Sequence, residues 1–406
     1  MSTIHLSQSQ ARRFLLHRHG LFGPYRFSGK PGIMEFIRQV GCVQFDPIDV
    51  CGKNAELVLQ SRISPFSKGM LSELLYEDRA LVDYFDKNLA IFPVEDWKYF
   101  SRTRDHYRRY GKSKIEVDAV VDRVVEEIHR RGALCSRDLD MAEKVDWHWS
   151  HTRLSRAALE SLYFQGDLVI HHKAGTSKYY ALAKDVLPME ILSEPNPYMD
   201  DDEFLQWRIR RRIGAVGLLW NRPSDAWLAI DGLRSDSRRK AFDALLDAGG
   251  IRSVQVEGIP EPFYYLPEAQ GDMDDILSDA LVDSNRMELI APLDNLMWDR
   301  RLIQSVFGFS YKWEIYTPVA QRKYGYYVLP MLFGENFIGR AELVCDRKKK
   351  ELKISKVWLE PSVEADDRTL SAMRGCFRRF AAFNDCTKVV GKLRPIMEHA
   401  ESPQES

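Results

Sequence analysis

The sequence predicts an α+β protein: tandem winged-helix (helix-turn-helix) modules followed by a C-terminal β-barrel-like domain with a terminal helix. Three observations predict it. An amphipathic helix, a glycine and a two-stranded hairpin follow one another twice in mid-chain, at a spacing of about eighty residues that suits a small domain. Beyond residue 285 the pattern changes to strands separated by short polar turns. Residues 365–383 then carry Leu370, Met373, Phe377 and Phe380 at helical spacing. With 406 residues and 45% hydrophobic content, the chain can bury several cores. The expected division is a winged-helix-like domain over 1–112, a second winged helix over 113–190, a third over 200–270 and the barrel-like domain over 285–398.

Taken in order, Ser7 caps a helix with Ala11, Phe14 and Leu15 on one stripe. Residues 31–40 place Ile33, Phe36, Ile37 and Val40 at a helical period, and Gly41 suits a left-handed stop. The next stretch, Val43-Gln44-Phe45-Asp46-Pro47, should be extended, because Pro47 disfavours helical backbone at Asp46. A period of two then puts Gln44 and Asp46 on one face, with Val43 and Phe45 on the other. An amide and a carboxylate so placed can aim a water molecule, but Asp-Pro is also an ordinary turn start. These residues alone leave both readings open. Helices follow at 55–62 and 67–76, an apolar strand or loop at 84–93, and a helix over 97–110.

Two basic runs stand out, one from Arg102 through Arg104, His106, Arg108, Arg109 and Lys112 to Lys114, the other Arg208, Arg210, Arg211 and Arg212. Each is either a solvated helix face or a nucleic-acid surface. The formal net charge of -1 excludes a wholesale electrostatic grip on DNA, so any such surface must be local.

The repeat runs from Ala158 through Gly166 to Ile170 with a return strand at 178–182, and again from Ala241 through Gly249 to Ser253 with a return at 262–266. Helices at 117–131 and 204–214 precede the two copies. In a winged helix the helix ahead of the hairpin approaches DNA, and the wing flanks it. The phosphate-contact candidates are therefore Arg153, Arg156, Lys173 and Lys178 in one copy and Arg238, Arg239 and Lys240 in the other. The competing reading of either copy is an architectural module with its recognition surface buried.

Asp272–Asp283, rich in acidic residues, reads as a linker. Strands are expected at 326–333, 337–345 and 352–359. A helix from about Ala365 to Phe383, with Asp366 and Asp367 at its positive end, should cover that sheet. The tail after Glu398 should be loose.

The six cysteines are scattered without a Cys-Xaa-Xaa-Cys pair, and no export signal or membrane-length apolar run is seen; reduced thiols in a cytoplasmic, nucleoid-associated protein are expected. Trp147-His148-Trp149-Ser150-His151 and His171-His172 lack the companions of a metal site, so neither a metal nor another cofactor is expected.

One set of motifs runs through the chain: Val43-Gln44-Phe45-Asp46, Trp149-Ser150 ahead of 158–166, Tyr179-Tyr180-Ala181-Leu182 and Pro292-Leu293-Asp294-Asn295-Leu296-Met297-Trp298-Asp299-Arg300. It continues through Phe307-Gly308-Phe309-Ser310-Tyr311, Glu314-Ile315-Tyr316-Thr317-Pro318 and Gly325-Tyr326-Tyr327-Val328-Leu329-Pro330. In this combination the chain resembles the bacterial YcaQ/AlkZ family of crosslink-repair DNA glycosylases. The resemblance implies catalysis by Gln44 and Asp46, in the Gln-Xaa-Asp branch. It further implies hydrolysis of the N-glycosidic bond of N7-alkylguanine and unhooking of interstrand crosslinks. The family carries a His soon after the aromatics matched by Tyr84-Phe85-Asp86-Lys87; here Lys87 stands in that place. The expected partner is double-stranded DNA containing alkylated or crosslinked guanine, bound by a monomer. The competing reading is a non-catalytic tandem winged-helix regulator or a lesion-binding protein, which would bind DNA without releasing a base.

Overall fold

The computed structural model describes residues 3–148, 150–282, 285–391, 393 and 397–399; Trp149, Asp283 and the tail from residue 400 lie outside the described residues. The chain forms two compact units, residues 1–71 with 202–406, and residues 72–201.

In the larger unit a strand not anticipated, Ile4–Leu6, joins the second copy of the repeat. It runs parallel to Arg252–Val256 with Ile4 opposite Val254, completing a four-stranded sheet with Phe263–Tyr265 and Leu219–Trp220. Ser7 then caps helix Gln8–Arg18 with a reciprocal bond to Gln10. Helices expected at 31–40, 55–62 and 67–76 occupy Gly29–Val40, Asn54–Gln60 and Lys68–Tyr76.

The acidic stretch after the third hairpin is not a linker. Residues Gln270–Leu277 form a helix packed on Gln8–Arg18, because Asp272 accepts from Arg18 at 2.7 Å and from Arg26 at 3.1 Å. Paired carboxylates can be buried where unpaired ones cannot.

The C-terminal sheet has the order Met287–Leu289, Val328–Phe333, Asn336–Asp346, Glu351–Leu359 and Lys388–Val390, with Met397–His399 also pairing Glu351–Leu359. Its first strands are an antiparallel meander whose register shifts at Met331/Leu332 and at Glu342/Leu343, and such irregularities bend a sheet. Helix Asp367–Phe383, capped by Asp366 through Thr369 N, buries Leu370, Met373, Phe377 and Phe380 and packs against Met287–Leu289.

The smaller unit holds the hairpin Leu81–Asp86 with Asn88–Pro93, where an apolar strand or loop was expected. Helices Ser101–Arg109, Lys114–Asp118 and Val121–Arg131 lead to the first copy of the repeat. There helix Leu154–Gln165 stops at Gly166 in left-handed backbone, and Leu168–Ala174 pairs with Ser177–Leu182 as a wing.

Candidate active site

Helix Gly29–Val40 ends at Gly41, whose φ of 78° favours glycine. The extended segment that follows is shorter than expected. Strand geometry covers only Val43–Gln44, and both residues are buried, so the anticipated alternation of faces is not expressed as burial. From Phe45 the backbone is irregular because Asp46 closes a local turn. Its Oδ1 accepts the Ile48 N–H at 2.9 Å across Pro47. Gln44 and Asp46 thus lie two residues apart where a short strand passes into a fixed turn.

Three carbonyls around this segment are gripped by distant side chains. Arg211 Nη2 donates to Gly41 O at 2.8 Å, Asn295 Nδ2 to Cys42 O at 2.8 Å, and Asn54 Nδ2 to Gln44 O at 2.8 Å. Asn54 also receives the Leu293 N–H at 3.1 Å, which ties the 292–298 block to the segment. That block is itself anchored by Asp294, which forms a fully buried pair with Arg62 at 2.9 Å and caps Leu296 N at 3.0 Å. A backbone held by directional bonds on three of four consecutive carbonyls is the support a positioned catalytic side chain requires.

Burial raises the Asp46 carboxyl above its ordinary range, and the bond from Ile48 opposes this. Asp46 is half-buried, so its carboxylate has lost part of its water and keeps part of its exposure. Nearby, Glu314 accepts three backbone N–H groups, from Lys323, Tyr324 and Gly325, at 2.9, 2.8 and 3.1 Å. These bonds outweigh burial and hold its carboxyl low. They also fix the loop that carries Trp313 and Tyr316, whose rings meet edge to face. Tyr316 is 78% exposed, and its phenol is raised by partial burial and then by the charge of Asp46. Asn54, Asn295 and Tyr316 went unassigned in the sequence; for the latter two the only hint was membership of the motif blocks.

Part of each basic run serves the fold, while His106 and Arg109 are exposed. Arg104 is buried over Trp97, Arg108 pairs with Asp105 and Asp167, Arg208 donates to Ala229 O, and Arg212 is fully buried over Trp298. The DNA candidates divide. Arg153, Arg156, Arg239 and Lys240 are exposed, although Arg156 also pairs with Glu160 at 2.9 Å. Lys173 pairs with Asp83 at 3.0 Å, Lys178 lies over Tyr163, and Arg238 is buried with Nε on Asn221. These three are held inside their modules. Lys87 sits at the turn of the first hairpin and is 3% exposed. Among the described residues no group of three or more His, Cys, Asp or Glu side chains is arranged to hold a metal ion, and no helix is long and apolar enough to cross a membrane.

Helix-glycine-hairpin modules thus accompany a curled C-terminal sheet and a half-buried carboxylate on a clamped turn. The family model described as "DNA glycosylase AlkZ-like" matches residues 37–383, and the chain belongs to that family. It is thus a DNA-repair glycosylase, a hydrolase of N-glycosyl bonds. Among solved structures the chain is similar in fold to the Streptomyces sahachiroi DNA glycosylase AlkZ, with a TM-score of 0.62 at 15% identity, covering 98% of this chain and 100% of that one.

Proposed function

We propose that the chain is a monofunctional glycosylase that releases N7-alkylguanine from duplex DNA and unhooks interstrand crosslinks, with Asp46 and Gln44 as its catalytic residues. The observation that carries this reading is the half-buried, turn-fixed Asp46, its carboxyl raised by loss of water on a backbone clamped at Gly41, Cys42 and Gln44.

An N7-alkylguanine leaves as a neutral base from a cationic nucleoside, so its departure needs no general acid. What remains is to stabilise the positive sugar and deliver water. A carboxylate in a partly dry site attracts an oxocarbenium-like centre more strongly than one in bulk water, and a raised pKa improves it as a base. One carboxylate suffices, unlike the pair in ordinary glycosidases. Asp46 orients and deprotonates the water, and the Gln44 amide fixes the same water. No lysine amine takes part, so the product is an abasic site with an intact strand. A crosslinked base cannot rotate freely out of the duplex, so full extrusion is not required. The exposed Arg153, Arg156, Arg239 and Lys240 are the proposed phosphate contacts, consistent with recognition helices that precede each wing.

The test is incubation with duplex containing 7-methylguanine or a nitrogen-mustard crosslink, scoring alkali-labile sites. Release by the wild type and its loss in Asp46→Asn is the expected result. Equal yields from both would remove Asp46 from the mechanism.

A further inference from the structure

Two cysteines that the sequence separates by 41 positions meet in the larger unit: the sulfurs of Cys345 and Cys386 lie 3.3 Å apart. Cys345 is half-buried near the end of strand Asn336–Asp346. Cys386 is buried just past helix Asp367–Phe383, after Asp385 turns the chain with a φ of 56°. Backbone bonds fix both flanks. Cys386 N donates to Ala381 O at 2.9 Å, and Thr387 N to Lys350 O at 2.9 Å. Both sulfurs face one acceptor, the Asn384 carbonyl, at 4.0 and 3.6 Å. A disulfide needs the sulfurs at about 2.05 Å, so closing this pair takes a movement of only about an ångström.

The same two elements grip the loop that follows Asp46. On one side Cys345 N donates to Val50 O at 3.4 Å and Arg347 pairs with Asp49. On the other, Gly52 presses on the Phe383 ring so closely that an added Cβ would lie 3.0 Å from it, and φ there is 121°. Asp49 in turn receives the Gly52 N–H at 3.0 Å. A covalent bond between Cys345 and Cys386 therefore fixes the gap within which residues 49–52 are held.

We propose that Cys345 and Cys386 are a redox-modifiable dithiol that a peroxide converts to a reversible disulfide, and that residues 46–53 respond to its state. In the first step the Cys345 thiolate attacks a peroxide oxygen. The O–O bond breaks, and the leaving hydroxide takes a proton to become water, leaving a sulfenic acid. The Cys386 sulfur then attacks that of Cys345, and the displaced hydroxide takes the Cys386 proton as a second water. Two thiols and one hydrogen peroxide give one disulfide and two waters. Cys345 is half-buried whereas Cys386 is buried, so Cys345 is the sulfur that meets peroxide first.

The test does not depend on base release. The full chain is treated with hydrogen peroxide, alkylated and digested without reductant, and its linked peptides are identified. In parallel, hydrogen exchange over residues 46–53 is compared between reduced and oxidised protein. The expected result is a 345–386 link, reversed by dithiothreitol, with exchange in 46–53 slowed severalfold, and neither effect in Cys386→Ser or Cys345→Ser. No 345–386 link, or a link of Cys345 to the neighbouring Cys51, overturns the site. A 345–386 link with unchanged exchange overturns its connection to the loop.

Discussion

Asp46 has a charge that its surroundings oppose, and this sets opposite expectations for stability and for activity. A carboxyl raised in the folded state binds its proton more tightly folded than unfolded. Stability is therefore greatest below the unfolded pKa of about 3.9 and falls as pH rises through the raised folded value. At neutral pH Asp46→Asn should leave the melting temperature unchanged or raise it, while base release from 7-methylguanine duplex drops about 10²- to 10⁴-fold. A melting temperature that fell with activity would mean that Asp46 is structural. The clamps belong to the same scale. Asn54→Ala removes the donor to Gln44 O and the acceptor of Leu293 N in a residue 2% exposed, which should cost about 2–3 kcal/mol in urea unfolding. Nothing in the sequence marked Asn54, because its partners include a backbone group 239 residues away. For Gln44 and Asp46 proline and periodicity suggested only a short extended stretch, with a catalytic role implied by the family resemblance alone, and the strand was overestimated. The Asp46 turn competes with extension just where Pro47 begins.

Among the elements, those with local punctuation were readable. Gly166 ended a helix and opened a wing at its expected place, and its geometry explains why glycine is needed. Its φ is 80°, and a Cβ there would stand 2.2 Å from Arg104 Cδ and 3.1 Å from the Trp97 ring. Gly166→Ala should therefore destabilise the smaller unit by at least about 1 kcal/mol in thermal or denaturant unfolding, more than a helix-interior Gly→Ala exchange, which usually stabilises. Strand Ile4–Leu6 was not readable, since three residues carry little pattern and their partner lies 250 residues on. Helix Gln270–Leu277 was misread for another reason. Acidic residues suggest solvent, but the partners of Asp272 are contributed by Arg18 and Arg26 from the far end of the sequence. In the two basic runs Arg104 and Arg212 are buried over aromatic rings and Arg208 is bound to a carbonyl, while Arg108 and Arg109 lie exposed on the helix surface.

At the scale of the larger unit, one buried network joins the N-terminal helix to the 292–298 block. Arg62 is central, donating to His19 O at 2.8 Å, pairing with Asp294 and lying 4.8 Å from the Phe36 ring. His19 is 1% exposed, with Nε2 3.0 Å from Val216 O and Nδ1 lacking a hydrogen-bond partner among the described residues. Burial first, and then the charge of Arg62, lower its pKa to about 4. The sign follows directly. In the unfolded chain the imidazole takes a proton below its ordinary pKa of about 6.5, whereas in the folded one it stays neutral until about 4. Stability carried by the neutral ring is thus complete above about 6.5 and lost as pH falls toward 4, a loss of about 3 kcal/mol for this one group. Asp272, held low against burial by hydrogen bonds from His17 and Arg18 and by the charges of Arg18 and Arg26, acts in the same direction at still lower pH. Replacing His19 by Gln, which keeps a donor for Val216 O but cannot titrate, should flatten the fall in unfolding free energy between pH 6.5 and 4.5. It should do so even if the variant is less stable at pH 7. Urea unfolding of both proteins across that range decides it: equal slopes would assign the acid sensitivity to other groups, and a flattened slope would assign it to the ring beside Arg62.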